Sequence, residues 1–220
     1  MGDMGKKKVL VTGSTGFVGS HVVREFIDLG YEVVGISRTE ASSPHMIKDI
    51  SGNTDWCDVL EGVEIIIHCA AAVHQMELSE NVLNSYQTLN VDGTLNLAEQ
   101  AKNSVKRFIF LSTVKVNGEE TFSDKFFADD IANPIDPYGV SKECAEAGLR
   151  EIAVSSKMEL VIIRPPLVYG PNPKGNLATL AKYLNRRVPL PLGSVTSNSR
   201  SLVYVGNLVD FIYICAEHQA

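Results

Sequence analysis

The spacing of apolar and polar positions divides the chain into strands and helices that follow one another. Val9 to Val11 is a short apolar run of β type. Phe17, Val18, Val22, Val23, Phe26, Ile27 and Leu29 then recur at helical spacing and predict a helix with one broad apolar face. Gly30 ends that helix as a left-handed cap residue does, and Tyr31 to Ile36 forms a second strand. A short third strand is predicted near Met46 to Ile50 and a short helix over Asp55 to Leu60. Val63 to His68 is almost continuously apolar, which marks a strand buried on both faces. One long helix is predicted from Ser79 to Lys102, burying Leu83, Tyr86, Leu89, Leu95, Leu97 and Ala98. A strand over Arg107 to Ser112, a helix over Tyr138 to Ser156 and a strand over Leu160 to Ile163 complete the series. Strands alternating with helices predict an α/β chain with a doubly wound parallel sheet.

Beyond Gly170 the pattern changes. Proline, glycine and asparagine become frequent, around one amphipathic helix near residues 176–187. Ser201 to Val205 reads as a strand and Val209 to Glu217 as a helix. Residues 1–170 are therefore taken as one domain. Residues 171–220 are taken as a partial, substrate-covering region whose late helix can pack back on the first domain.

The turn after the first strand carries the first chemical signal. Gly13, Gly16 and Gly19 are spaced G-x-x-G-x-x-G between a strand and a helix. In that context Gly13 allows a sharp turn, Gly16 lets a pyrophosphate approach the backbone, and Gly19 lets the helix pack closely. The helix N-terminus supplies unpaired N–H groups and a positive dipole end. This predicts a Rossmann-type dinucleotide site formed by Gly13, Ser14, Thr15, Gly16, Phe17, Val18 and Gly19. The second strand ends in Ser37 and Arg38, where NAD binders usually place a carboxylate. A guanidinium attracts a 2′-phosphate, so NADP is favoured over NAD, unless Arg38 is solvated or stacks on the adenine of either cofactor. Asp49 and Ile50 are placed beside the adenine. The small residues Cys69, Ala70 and Ala71 make the opposite wall of the crevice. His74 and Gln75 follow in a loop, where His74 either approaches the nicotinamide and substrate or is solvated. Asn90 either bonds a neighbouring loop or lies on the surface.

The totals narrow the function classes. The net charge of −6 argues against nucleic acid as a partner. No apolar run approaches the length of a membrane span, and the N-terminus does not read as a signal peptide. The four cysteines have neither metal nor redox spacing, which suggests free thiols in a reducing cytoplasm and no metal site. Asp124, Asp129 and Asp130 read as a solvated cluster.

Tyr138 and Lys142 are spaced Y-x-x-x-K and share a helix face. A lysine there can lower the tyrosine pKa toward the working range and hold the nicotinamide ribose. Thr113, with Ser112 beside it at the preceding strand end, can bond the substrate oxygen.

With these pieces in place the chain resembles an extended short-chain dehydrogenase/reductase of the nucleotide-sugar epimerase/dehydratase group. The resemblance rests on TGSTGFVGS, HCAAAVH, NVDGTLNLAE, FLSTVKVNG, DPYGVSK, RPPLVYGP and RSLVYVGNLVD, in family order over nearly the whole chain. It implies Tyr138 as acid/base, Lys142 as its partner and Thr113, with Ser112, as the third member. It also implies Pro165 on the cofactor, and Lys115, Asn176 and Arg200 on a UDP-linked nucleotide sugar. A homodimer through the two long helices is a further implication, as is a substrate-binding part longer than this chain holds. Dehydratases of the group carry an acid pair where this chain has Val114 and Lys115, so dehydration is disfavoured. Epimerases tend to carry asparagine where this chain has Leu167. The pattern is most similar to UDP-glucose 4-epimerase-like proteins and UDP-4-keto-sugar reductases of surface-polysaccharide pathways. The alternatives are reduction of a non-sugar carbonyl and non-catalytic dinucleotide binding.

Overall fold

A computed structural model describes residues 6–39, 44–73, 79–121, 124–171, 182–183, 185–186 and 198–219. Six parallel strands form one sheet: β1 (Lys8–Thr12), β2 (Glu32–Ser37), β3 (His45–Ile47), β4 (Val63–His68), β5 (Arg107–Leu111) and β6 (Glu159–Ile163). Their order across the sheet is β3-β2-β1-β4-β5-β6. The connecting helices are α1 (Phe17–Asp28), α2 (Cys57–Leu60), α3 (Glu80–Ser85), α4 (Thr94–Ala101) and α5 (Pro137–Val154). A second, two-stranded parallel sheet pairs β7 (Leu167–Tyr169) with β8 (Leu202–Tyr204), and α6 (Val205–Glu217) follows at once.

The two faces of the sheet are divided by alternation, because successive strand side chains point opposite ways. Leu10, Ile66, Phe108 and Phe110 pack with Leu97, Ala98, Ala145 and Leu149 of α4 and α5. Their neighbours Val9, Val11, Ile65, Ile67 and Ile109 pack on the other face with Val22, Val23 and Phe26 of α1 and Leu208, Val209 and Ile212 of α6. The late helix therefore completes the layer begun by α1.

Local chemistry sets the helix ends. Gly30 has φ +89°, with its N–H on Ile27 O and the Tyr31 N–H on Phe26 O. The Phe26 and Tyr31 rings meet at 5.0 Å, which completes a Schellman stop. The α5 helix starts at Pro137 behind Asp136, whose carboxylate accepts the Gly139 N–H at 2.5 Å.

The structure corrects several boundaries. The helix expected as one piece over residues 79–102 is α3, a π-helical stretch over Tyr86–Gly93, and α4. Leu83 is 46% exposed there, not buried. The third strand stops at Ile47, and Ile50 leaves it to enter the core against Gly93. The last helix begins at Val205, four residues before the expected Val209. Most of the amphipathic helix predicted near residues 176–187 lies outside the described residues.

Arg107 holds the end of α6. Its Nη1 donates to Cys215 O at 2.7 Å and Ala216 O at 2.8 Å, and its Nε donates to Glu159 at 2.7 Å. The side chain is buried, so the helix's last carbonyls gain a charged donor where water is scarce. Arg107→Met is expected to cost about 3 kcal/mol in urea unfolding. A loss within error of zero would mean that α6 is held by its apolar face alone.

Candidate active site

The order of strands reverses between β1 and β4, and the connections leaving these two strands go to opposite faces. That is where an open α/β sheet binds its ligand. Two backbone segments form the crevice. Gly13 has φ +65°, and a Cβ there would lie 2.7 Å from Ala70 N. A Cβ on Gly19 would lie 2.2 Å from Gly13 O, so α1 starts pressed against the turn. Gly16 caps α1 without a side-chain hydrogen bond, and the first turn holds no acid. Leading N–H groups of α1 are thus left for an anion, unlike those of α3 and α5, which Ser79 and Asp136 cap.

The other expected cofactor residues divide by role. The Ser14 hydroxyl faces inward, donating to Ile36 O at 3.0 Å and lying 2.8 Å from His45 Nδ1. It ties the glycine turn to β2. Thr15 is exposed at the rim, while Phe17 and Val18 are half-buried against the α1/α6 layer. Ser37 is buried and donates to Thr39 O, and Arg38 is exposed beyond it. Asp49 is exposed, and Ile50 is buried in the core. Cys69, Ala70 and Ala71 run along the opposite wall, held by Cys69 N–H on Thr12 O and Ala70 N–H on Thr12 Oγ1. Burial pushes the Cys69 thiol up to about 12, only partly opposed by Lys142. His74, Gln75 and Asn176 lie outside the described residues.

Asn90 settles one open alternative. It is fully buried in the π-helical stretch, accepting the Ala72 N–H at 2.8 Å and donating to Ala72 O and Ser141 Oγ, each at 3.0 Å. One side chain therefore fixes both the crevice wall and α5, and the widened helical turn delivers it there. Beneath it, His68 bridges Thr12 Oγ1 at 2.8 Å and Thr94 Oγ1 at 2.9 Å. Burial, with help from the Lys142 charge, drops its pKa to about 3, so it stays neutral. Thr12, His68 and Thr94 gave no sequence signal beyond a polar residue in an apolar setting.

Tyr138 and Lys142 stand one turn apart on α5, beside the end of β5 that carries Ser112 and Thr113. Tyr138 is half-buried with its ring 6.0 Å from that of Tyr86. Its pKa is raised to about 12, first by burial and then by Asp136 and Tyr86. This corrects the expectation of a lowered value: loss of water around the phenol dominates. Lys142 is fully buried, with Nζ 4.1 Å from the Phe110 ring centre. Burial brings it down to about 7, with Cys69 and Glu146 pulling the other way.

The neighbouring polar groups are largely committed. Ser112 Oγ donates to Glu146 at 2.6 Å. Thr113 Oγ1 accepts the Lys115 N–H at 3.3 Å. Lys115 Nζ pairs with Glu119 at 3.1 Å and with Asp136. Pro165 offers its carbonyl to the Val114 N–H. Arg200 is exposed just before β8, with Nε 3.3 Å from Asn198 Oδ1. Sequence reasoning missed Glu146 and Arg164, which join this cluster from α5 and the end of β6. The only signal was an acid one helical turn after Lys142. All four cysteines are free thiols, and among the described residues no three His, Cys, Asp or Glu side chains gather as a metal site. No described helix is long and apolar enough to cross a membrane.

The Epimerase family profile, described as the NAD dependent epimerase/dehydratase family, matches residues 9–220. The chain belongs to this family. It is a short-chain dehydrogenase/reductase-type member. The chain is 44% identical to a UDP-glucose 4-epimerase of Vibrio cholerae over 96% of its own length and 67% of that protein's. Among solved structures it is similar to the UDP-glucuronic acid 4-epimerase of Bacillus cereus in complex with UDP-glucuronic acid and NAD. The TM-score is 0.83 at 26% identity, covering 97% of this chain and 74% of the other. MoeE5 in complex with UDP-glucuronic acid and NAD superposes equally well, with a TM-score of 0.83 at 26% identity over 97% and 73%.

Proposed function

We propose that this epimerase-family chain performs hydride chemistry at C4 of a UDP-linked hexose, as a 4-epimerase with NAD. The observation that carries the reading is the placement of Tyr138, Lys142 and the Thr113 hydroxyl beside a crevice shaped for a dinucleotide. The crevice fits the cofactor because Gly13 and Gly19 leave no room for side chains and the start of α1 is uncapped. Residues 13–19 would hold the pyrophosphate, Cys69 to Ala71 would line the opposite wall, and Lys142 would meet the nicotinamide ribose. Bound NAD supplies a hydride acceptor and returns the hydride. Tyr138 Oη takes the proton of the sugar's 4-hydroxyl and later gives it back. The Lys142 ammonium favours the tyrosinate electrostatically, which offsets the burial that otherwise keeps the phenol neutral. Thr113 Oγ1 donates to the same sugar oxygen and orients it. Arg200 would meet the diphosphate. A role in making surface-polysaccharide sugars, and a homodimer through the α3–α4 and α5 helices, belong to the same proposal. Light scattering at two concentrations tests the dimer.

The test is conversion of UDP-glucose to UDP-galactose with NAD, followed by chromatography of the two sugars. The proposal expects both directions to run. Oxidation that stops at a keto-sugar with release of NADH would replace epimerisation with a 4-keto-reductase running in reverse.

The exposed Arg38 at the end of β2 favours a second reading, NADP with a reductase. Arg38→Asp is then expected to weaken NADPH at least about tenfold while leaving NADH unchanged. A wild-type protein that binds NADH as well as NADPH removes this reading.

A further inference from the structure

One buried carboxylate remains unexplained by the chemistry above. Glu146 is fully buried one turn beyond Lys142 on α5. Its Oε1 accepts Ser112 Oγ at 2.6 Å and Arg164 Nε at 2.9 Å. Its Oε2 accepts Arg164 Nη2 at 2.6 Å and Arg150 Nη2 at 3.1 Å. Arg164 also donates from Nη1 to Asn117 Oδ1 at 3.2 Å, just past the turn that follows Thr113. We propose that Glu146 is a positioning residue, fixing the Ser112–Thr113 strand end against the helix that carries Tyr138 and Lys142 and supplying the counter-charge for Lys142.

The proposal rests on the Tyr138–Lys142–Thr113 chemistry above. Its physical basis is separate. The Thr113 hydroxyl must be held to a fraction of an ångström for its hydrogen bond to act in catalysis. Thr113 follows β5, and its two neighbours are tied by backbone to the end of β6 and the segment after it, through Ser112 N–H on Ile163 O and Val114 N–H on Pro165 O. Glu146 adds the link from β5 to α5. A buried ion pair is poor evidence for a stability role, since apolar replacements often fold as well. A pair joined to both halves of a candidate active site has another reason to exist.

The charges around Lys142 can be named. From α5 come Glu146 and, farther along, Arg150; from the end of β6, Arg164; from the end of β4, His68 and Cys69. Tyr138 and Asp136 lie on the preceding turn. Cys69 and then Glu146 raise the affinity of Lys142 for its proton, and of the two Glu146 is the carboxylate. Burial works against ionising Glu146 itself, but the Arg164 and Ser112 hydrogen bonds hold it below the usual carboxylate range. It is therefore charged at neutral pH.

The experiment compares wild type, Glu146→Gln and Glu146→Asp by two readouts. The first is the ¹³Cε titration of Lys142 by NMR with ¹³C-labelled lysine. The second is the pH profile of kcat with UDP-glucose and NAD. Glu146→Gln is expected to move the Lys142 midpoint down by about one pH unit, and the high-pH limb of kcat with it. NAD affinity stays within about twofold, and Glu146→Asp recovers part of the shift. A folded Glu146→Gln with an unmoved midpoint and limb overturns the proposal. No turnover in wild type defeats the functional reading instead, and the Lys142 midpoint still decides this one. If Glu146→Gln does not fold, Ser112→Ala keeps the ion pair and cuts only the tie to the strand end. It is expected to displace the Thr113 methyl resonance and lower kcat about tenfold at unchanged KM. An unmoved methyl resonance overturns the proposal.

Discussion

Tyr138→Phe is expected to slow hydride transfer by about a thousandfold while leaving cofactor binding intact, as for loss of a positioned acid/base group. The substitution removes one oxygen and keeps the ring that lies 6.0 Å from Tyr86. The α5 helix keeps its start, because Pro137 and the Asp136 cap are untouched. The free protein holds the phenol neutral, with its pKa at about 12 from burial. In the proposed mechanism the charge of Lys142 and a bound cofactor make the tyrosinate accessible at neutral pH. The measurement is the rise of NADH absorbance after UDP-glucose is added to protein loaded with NAD, beside an NAD titration of both proteins. If the phenylalanine variant transfers hydride at the wild-type rate, Tyr138 is not the acid/base group.

Gly13→Ala is expected to destabilise the chain by about 3 kcal/mol and to abolish dinucleotide binding. Two effects combine. The residue sits at φ +65°, which a Cβ disfavours, and the new methyl would meet Ala70 N at 2.7 Å and Ala70 Cα at 2.8 Å. These are backbone atoms on the opposite wall of the crevice, so relief requires the wall itself to move. Gly30→Ala is the control. It sits at φ +89° with nothing within 4 Å, so it carries strain but no collision and should cost only about 1 kcal/mol. Urea unfolding of both variants, with an NAD titration, separates the two contributions. Equal losses in the two variants would show that close approach of the two crevice segments contributes nothing.

The site expectations met the structure unevenly, and the reason is the same in each case. Gly13, Gly16 and Gly19 were legible because a strand before them and a helix after them are local patterns. Tyr138 and Lys142 were legible because four residues on a helix bring two side chains to one face. Ser112 looked like a second crevice hydroxyl, yet it donates to Glu146, 34 residues later in the chain. Lys115 looked available to a substrate, yet it is paired with Asp136 and Glu119. Asn90 had two open readings until its amide met Ala72 and Ser141.

The sequence by itself determined the alternation of strands and helices, the parallel sheet, the glycine turn and the tyrosine–lysine pair. Each depends on residues within a few positions of one another, where periodicity and backbone freedom act directly. Only the tertiary structure decided which side of the sheet each helix covers, that α6 shares a layer with α1, and that Lys142 is buried deeply enough to titrate at about 7. It also decided that Glu146, Arg164 and Ser112 form one cluster and that His68 is locked between Thr12 and Thr94. Those facts depend on burial and on hydrogen bonds between distant segments, and both come into being only when the sheet assembles.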